Sequence, residues 1–281
     1  MSELNFLDWL GKTRSTTAII NPWPANALAA VLNIPQLELT GNLPGLWHWL
    51  YFLEQAPQSQ IGLDGHPAKG GFWPPVPHPR RMFAGGRTNY NQALKLGQEA
   101  TLLETVVDIQ IKEGRQGKIY IVTVQFEYRQ DSTLCISEER DFVYLPALAK
   151  PTSPKELSNE INAVADAKWS LDLPTDLITL FRFSALTFNS HRIHYDLEYA
   201  RVQEGYPQLV VHGPLTAILL SETVRLNSER PMKSFTFRAM SPLFCGQTIR
   251  ARADRIAEDN VSLVAYTPSG ETAVKATVIL A

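Results

Sequence analysis

The sequence predicts an α+β fold in two similar halves, each a buried helix followed by an antiparallel strand meander. Three observations predict it. Two apolar segments open on a Gly/Pro signal, at Pro44-Gly45 and at Gly213-Pro214, and proline is favoured where a helix starts. Each is followed by runs rich in β-branched and aromatic residues, separated by turn-forming residues. Leu96-Gly-Gln98 precedes a long strand-like run in the first half, and Cys245-Gly-Gln247 does so in the second.

The elements follow in order. Residues 1–40 read as an N-terminal helical extension, with short amphipathic helices over Asn5 to Leu10 and around Ala25 to Leu32. Gly45 to Leu53 is apolar nearly all round, which predicts a buried helix. The Gly/Pro-dense stretch Gly62 to Arg81 fits no regular element. Strands are predicted at Arg87 to Tyr90, Gln98 to Lys112, Lys118 to Arg129 and Glu138 to Leu145, with Glu113 to Gly117 as a hairpin connection. Ala147 to Glu160, rich in Pro, Ser, Thr and Lys, reads as a linker.

The second half repeats the plan. Helical stretches cover Asp176 to Thr187 and the region near Tyr199, and the apolar helix Gly213 to Leu220 follows. Strands are predicted at Lys233 to Ala239, Thr248 to Glu258, Ser262 to Tyr266 and Ala273 to Leu280. The extra length of the first half matches its Gly/Pro-rich loop. A helix wrapped by an antiparallel sheet, occurring twice in one chain, is the double hot-dog architecture. The expected division is 1–40 for the extension, 41–147 for the first hot dog, 148–170 for the linker and 171–281 for the second.

Composition narrows the function classes. The 281 residues are 44% hydrophobic and 19% charged, as in a globular protein with a real core, and the net charge of −2 supplies no basic field for nucleic acid or an anionic membrane. No apolar run approaches the roughly 20 residues that cross a bilayer. The N-terminus lacks a basic segment followed by an apolar core, so a cytoplasmic location is expected. The two cysteines, Cys135 and Cys245, lack metal-ligand spacing and read as buried free thiols in a reducing compartment.

Reactive side chains concentrate in the second half. Phe183 to Asp196 carries Asn189, His191 and His194, and Tyr206 to Leu215 runs through His212 into Gly213-Pro214. Half of the six histidines lie in this short span. Histidine suits proton shuttling near neutral pH. A helix start offers backbone N–H groups to a developing oxyanion, and glycine there lets a ligand approach closely. Structural roles compete: His212 as a packing residue beside the helix, His191 as a satisfied histidine, and Asp196 as a helix cap or a partner for a cation. The His-x-x-His pair has no third ligand at recognisable spacing, so no metal is expected.

The run Phe183 to Asp196 resembles the hydratase-2 motif of the MaoC-like, R-specific enoyl-CoA hydratases, and His212-Gly213-Pro-Leu resembles the helix start that follows it there. Asp64-Gly-His-Pro-Ala-Lys-Gly-Gly-Phe-Trp-Pro-Pro-Val-Pro, with Arg80-Arg-Met-Phe-Ala-Gly-Gly-Arg87, resembles the MaoC-like proteins with an added N-terminal hot dog. That group includes mesaconyl-CoA hydratases and hydroxyacyl-thioester dehydratases. The resemblance covers about residues 40 to 281. It implies a hydro-lyase that reversibly hydrates a short branched 2-enoyl-CoA, with the C4 thioester of mesaconate (giving citramalyl-CoA) as leading substrate. The alternatives are a 3-hydroxyacyl-thioester dehydratase of fatty-acid synthesis and a non-catalytic acyl-CoA binder.

The resemblance places the catalytic histidine at His194 and the carbonyl-binding backbone donor at Gly213. Asn189 falls where single-hot-dog hydratases carry aspartate. An amide cannot act as a base, so Asn189 is assigned to positioning water or thioester, with His191 as an alternative sharer of the proton work. His191, His212 and Pro214 are expected to line the substrate, and Arg80, Arg81 and Arg87 to contact CoA phosphates or a substrate carboxylate, or else to fix their own loop. The first hot dog is expected to be non-catalytic and to form the acyl tunnel. No cofactor beyond the substrate's own CoA is expected, and a homodimer is the expected assembly.

Overall fold

The computed structural model describes residues 6–37, 41–114, 117–148 and 167–281. The N-terminal region folds as a 3-10 turn Phe6–Trp9, strand β1 Thr13–Ile19 and helix α1 Pro22–Leu32. Asn21 caps α1 by accepting a hydrogen bond from the Trp23 amide, with Pro22 filling the first turn. The first meander is β2 Arg80–Tyr90, β3 Glu99–Gly114, β4 Gly117–Gln130 and β5 Thr133–Leu145. The second half comprises β6 Ser170–Pro174, helices α2 Leu177–Leu186, α3 Leu197–Val202 and α4 Gly213–Arg225, and strands β7 Met232–Ala239, β8 Thr248–Ile256, β9 Asn260–Tyr266 and β10 Thr272–Leu280.

All ten strands join one antiparallel sheet in the order β1-β3-β4-β5-β2-β7-β10-β9-β8-β6. The seam between the halves is the pairing of β2 with β7, from Gly85 opposite Arg238 to Asn89 opposite Ser234. Alternation of buried and exposed residues along β4 and β8 gives the sheet one apolar face. On that face lies α4, whose residues 215 to 224 are all buried and which packs against β6 to β10. The arrangement is a double hot dog. Cys135 is buried, Cys245 is half-buried, and both thiols are free. Among the described residues no helix is long and apolar enough to cross a membrane.

The structure departs from the sequence reading in three places. The long buried helix expected over Gly45 to Leu53 is a single 3-10 turn, Trp47–Leu50. Left-handed backbone at Leu46 (φ 65°) and Phe52 (φ 56°) brackets the turn and stops a helix on both sides. Its ring N–H groups reach in different directions: Trp47 Nε1 donates to Glu222 on α4 at 3.0 Å, while Trp49 Nε1 and His48 Nε2 lie 2.9 Å from the Glu138 carboxylate on β5. The first half therefore lacks the long central helix that α4 supplies to the second. Second, the N-terminal extension contributes a strand as well as helix, since β1 pairs along β3 from Thr13 opposite Thr105 to Ile19 opposite Glu99. Third, β2 begins at Arg80, inside the stretch read as irregular, and β6 is a short edge strand paired with β8. Most of the predicted 148–170 linker lies outside the described residues.

Burial alone would raise the Glu138 carboxyl, yet Arg140 at 2.7 Å and His48 hold it down to about 2. This buried cluster fixes Trp49, whose ring packs on Phe83 of β2 and Phe237 of β7, 5.6 and 5.9 Å away. Phe83 in turn is the side chain nearest the side of Gly213 at the start of α4. Replacing Glu138 with Ala leaves the buried Arg140 charge unpaired and the His48 and Trp49 ring N–H groups without an acceptor, and is expected to cost about 3–5 kcal/mol of stability. Urea unfolding measures it, and a loss below about 1 kcal/mol would show that the cluster does not hold the first half together.

Candidate active site

Helix α2 is capped by Asp176, whose carboxylate accepts from the Thr179 amide. The chain leaves α2 through Phe188, left-handed at φ 49°, and Asn189 Oδ1 then accepts from the His191 amide at 2.9 Å. This local turn delivers the 3-10 turn Arg192–His194. Asp196 caps α3 through the Tyr199 amide and pairs with Arg192, which are structural roles.

His194 is buried, and its Nδ1 lies 2.7 Å from the Val210 carbonyl. A carbonyl only accepts, so Nδ1 carries the proton and Nε2 presents its lone pair. The ring stacks on His212, with centroids 3.7 Å apart and planes 18° from parallel. His212 is the N-cap residue of α4, and its Nε2 contacts Ser184 Oγ at 2.8 Å. Gly213 follows as the first helical residue, and Pro214, having no N–H, leaves the Gly213 amide without a neighbouring donor to compete with it. A base and an anion-favouring helix start thus adjoin one another. His191 meets His194 edge-on at 5.6 Å, and its Nε2 is buried without a hydrogen-bond partner in the protein.

The Gly/Pro-rich loop of the first half closes on this turn through its backbone. Asp64 O accepts from the Arg192 amide at 2.9 Å, Leu63 O accepts from the Arg192 guanidinium, and Gly65 O accepts from Ser190 Oγ at 2.5 Å. Gly65 sits at φ +92°, and a Cβ there would fall 1.8 Å from Ser190 O, so only glycine fits. The docked loop brings His66 to 4.3 Å from His191, ring to ring, with Asp64 hydrogen-bonded to His66 Nδ1 at 2.9 Å. Four histidines from both halves therefore form one array. Asp64, His66 and His191 bring their donor atoms within 4.8 Å of one another. The sequence alone assigns Asp64 and His66 no role, because their partners His191 and Arg192 lie far along the chain.

The three arginines part company. Arg80 is buried against Glu204 at 2.7 Å, and Arg87 pairs with Glu139 and Asp141. Arg81 alone of the three turns to a small cavity of about 60 Å³, shared with Asp64, His66, Lys69 and Tyr144. An adjoining cleft of about 540 Å³ is lined by Gly62, Asp64, Lys69, Arg192, Asp196 and Tyr199.

A family model described as hydroxyacyl-thioester dehydratase type 2 matches residues 46–245. The chain belongs to this family. A mesaconyl-C(4)-CoA hydratase of Chloroflexus aurantiacus is 46% identical over 282 residues, covering 100% of this chain and 99% of that protein. The mitochondrial hydroxyacyl-thioester dehydratase type 2 of Schizosaccharomyces pombe is 28% identical, covering 76% of this chain and 78% of that one. Among solved structures, a MaoC-like dehydratase superposes with TM-score 0.74 at 13% identity, covering 98% of this chain and 99% of that one. HtdX of Mycobacterium tuberculosis does so with TM-score 0.66 at 16% identity, covering 94% and 99%. At those identities the structures show the fold that this dehydratase type 2 chain shares.

Burial pushes His194 down to about 4, against the opposing hydrogen bond to Val210, and pushes His66, His191 and His212 down as well. In the unfolded chain these groups titrate near 6.5. Below that pH the unfolded state takes up protons that the folded state refuses, so stability is full above about pH 6.5 and is lost as pH falls towards 4. The urea midpoint is expected to drop over that window, with a shallower slope in His191→Gln; an identical slope in the variant would contradict this.

Proposed function

We propose that the chain is a hydro-lyase that reversibly adds water to a short branched 2-enoyl-CoA, with mesaconyl-C4-CoA as substrate and citramalyl-CoA as product. The observation that carries this reading is 46% identity across the whole length to a hydratase of that substrate. The site geometry supports it. Neutral His194 Nε2 takes a proton from water as the water oxygen bonds to the β-carbon. The π electrons move to the thioester, and its oxygen gains negative charge at the Gly213 amide and the start of α4. The imidazolium then returns its proton to the α-carbon, so the histidine ends as it began. Asn189 holds the turn with its Oδ1, which leaves its amide NH2 to orient water or thioester.

Burial keeps His194 neutral at every pH above its lowered pKa, and the same shift makes the ring of the free protein a weaker base. Dehydration of 3-hydroxyacyl thioesters in fatty-acid synthesis is the second reading, favoured by the family description and the yeast relative. The cytoplasmic location and the homodimer belong to this proposal too, resting on composition and on the general preference for two-fold assemblies.

Loss of the enoyl-thioester absorbance measures the reaction. His194→Ala is expected to lower kcat on mesaconyl-C4-CoA by about 10²–10⁴-fold, with acyl-CoA affinity little changed. Turnover within tenfold of wild type would remove His194 from the mechanism. A wild-type rate higher on long-chain enoyl-thioesters than on mesaconyl-C4-CoA would favour the fatty-acid reading instead.

A further inference from the structure

Arg80 and Arg81 are neighbours on β2, so their side chains leave opposite faces of the strand. Arg80 is consumed by Glu204, as Arg87 is by Glu139 and Asp141. Among the described residues Arg81 has no carboxylate partner. Its guanidinium lies instead over the rings of Trp73 and Phe142, at 4.2 and 4.6 Å. Stacking engages the faces of a guanidinium and leaves its N–H edge available to a planar anion.

Directly across the strand pair, Arg81 is in register with Tyr144 of β5. Tyr144 is 1% exposed, and its hydroxyl has no hydrogen-bond partner in the protein. An unsatisfied buried hydroxyl is costly, and a ligand acceptor would satisfy it. Burial keeps the phenol protonated, hence a donor. Both side chains line the 60 Å³ cavity, which holds on the order of two waters and so admits a carboxylate but no fatty chain.

Lys69 lines the same cavity. Its ammonium donates to the carbonyls of Val76 and His78 and has one proton left. Of the nearby carboxylates, Asp64 lines the cavity and its two oxygens already accept from the His66 amide and ring, while Glu54 lies outside the lining and pairs with Arg14. Two cations therefore face one committed carboxylate, and the cavity favours a further anion.

We propose that Arg81 and Tyr144, with Lys69 beside them, form a carboxylate subsite through which the first half selects a dicarboxylic half-thioester. The proposal rests on the hydratase reading and adds the group that distinguishes its substrate from an ordinary enoyl-CoA. In a C4 thioester of mesaconate the free carboxylate is bonded to the carbon that receives the hydroxyl. A water held by His194, that carbon, its carboxylate and a guanidinium span about 10 Å, at about 3 Å for each polar contact. The ring array connects the two places: His66, which lines the cavity with Arg81, meets His191 at 4.3 Å, and His191 meets His194 at 5.6 Å.

The test is equilibrium binding of two saturated thioesters that are not hydrated, succinyl-CoA and butyryl-CoA, which differ by a carboxylate against a methyl group. Calorimetry on the full chain is expected to show succinyl-CoA bound about 10- to 100-fold more tightly, the range of a lost charge-assisted pair. Arg81→Met is expected to bring the ratio close to one, Tyr144→Phe to reduce it severalfold, and Arg81→Lys to restore part of it. Circular dichroism confirms that each variant is folded. A wild-type ratio near one, or an unchanged ratio in folded Arg81→Met, overturns the subsite. If Arg81→Met does not fold, the Tyr144→Phe ratio decides alone. A wild type that prefers succinyl-CoA yet does not hydrate mesaconyl-C4-CoA upholds the subsite and rejects the proposed reaction.

Discussion

The stack of His194 on His212 at the start of α4 is the contact on which the site depends. It sets an imidazole beside the first free amide of a buried helix, where one group moves a proton and the other meets negative charge. The Val210 carbonyl fixes the tautomer so that the lone pair sits on Nε2. Burial keeps the ring neutral, which strengthens the electrostatics around it but makes the folded state vulnerable to acid.

The two halves divide the work unequally. The second keeps the long helix, and α4 contributes both its core and its start to the site. The first replaces that helix with a Trp-His-Trp turn tied to Glu138 and Glu222. Glu222 belongs to α4, so this tie joins the core of one half to the other. Through β2 and the docked loop, the first half then presents Phe83 beside Gly213, His66 against His191, and Arg81 in the small cavity that His66 also lines. Gly65 is where this contact is tightest, since any side chain there would strike Ser190.

Most strands were legible in the sequence because alternation and turn residues are local signals. The hairpin of β3 and β4 closes as expected, with Gly114 opposite Gly117. The helix α4 was legible from its Gly-Pro start and apolar length. The matching segment after Pro44 misled because an all-round apolar run carries no periodicity, and the carboxylates that capture its ring N–H groups lie on distant elements. Edge strands β1 and β6 escaped because short, largely exposed strands have no apolar face to mark them. His194, His191 and His212 stood out by clustering, whereas His66 joins them through loop carbonyls that accept from Ser190 and Arg192, contacts that no spacing rule reveals. The fates of the three arginines depended on Glu204, Glu139 and Asp141, which only the register and the packing bring near.

A crystal structure of the enzyme with a bound saturated acyl-CoA tests the central arrangement most directly. The account predicts the thioester oxygen within hydrogen-bond distance of the Gly213 amide, about 3 Å, and an ordered water between His194 Nε2 and the β-carbon. A thioester bound elsewhere, with the His194 ring still sealed against His212 and no water or acyl carbon within reach of Nε2, would contradict it.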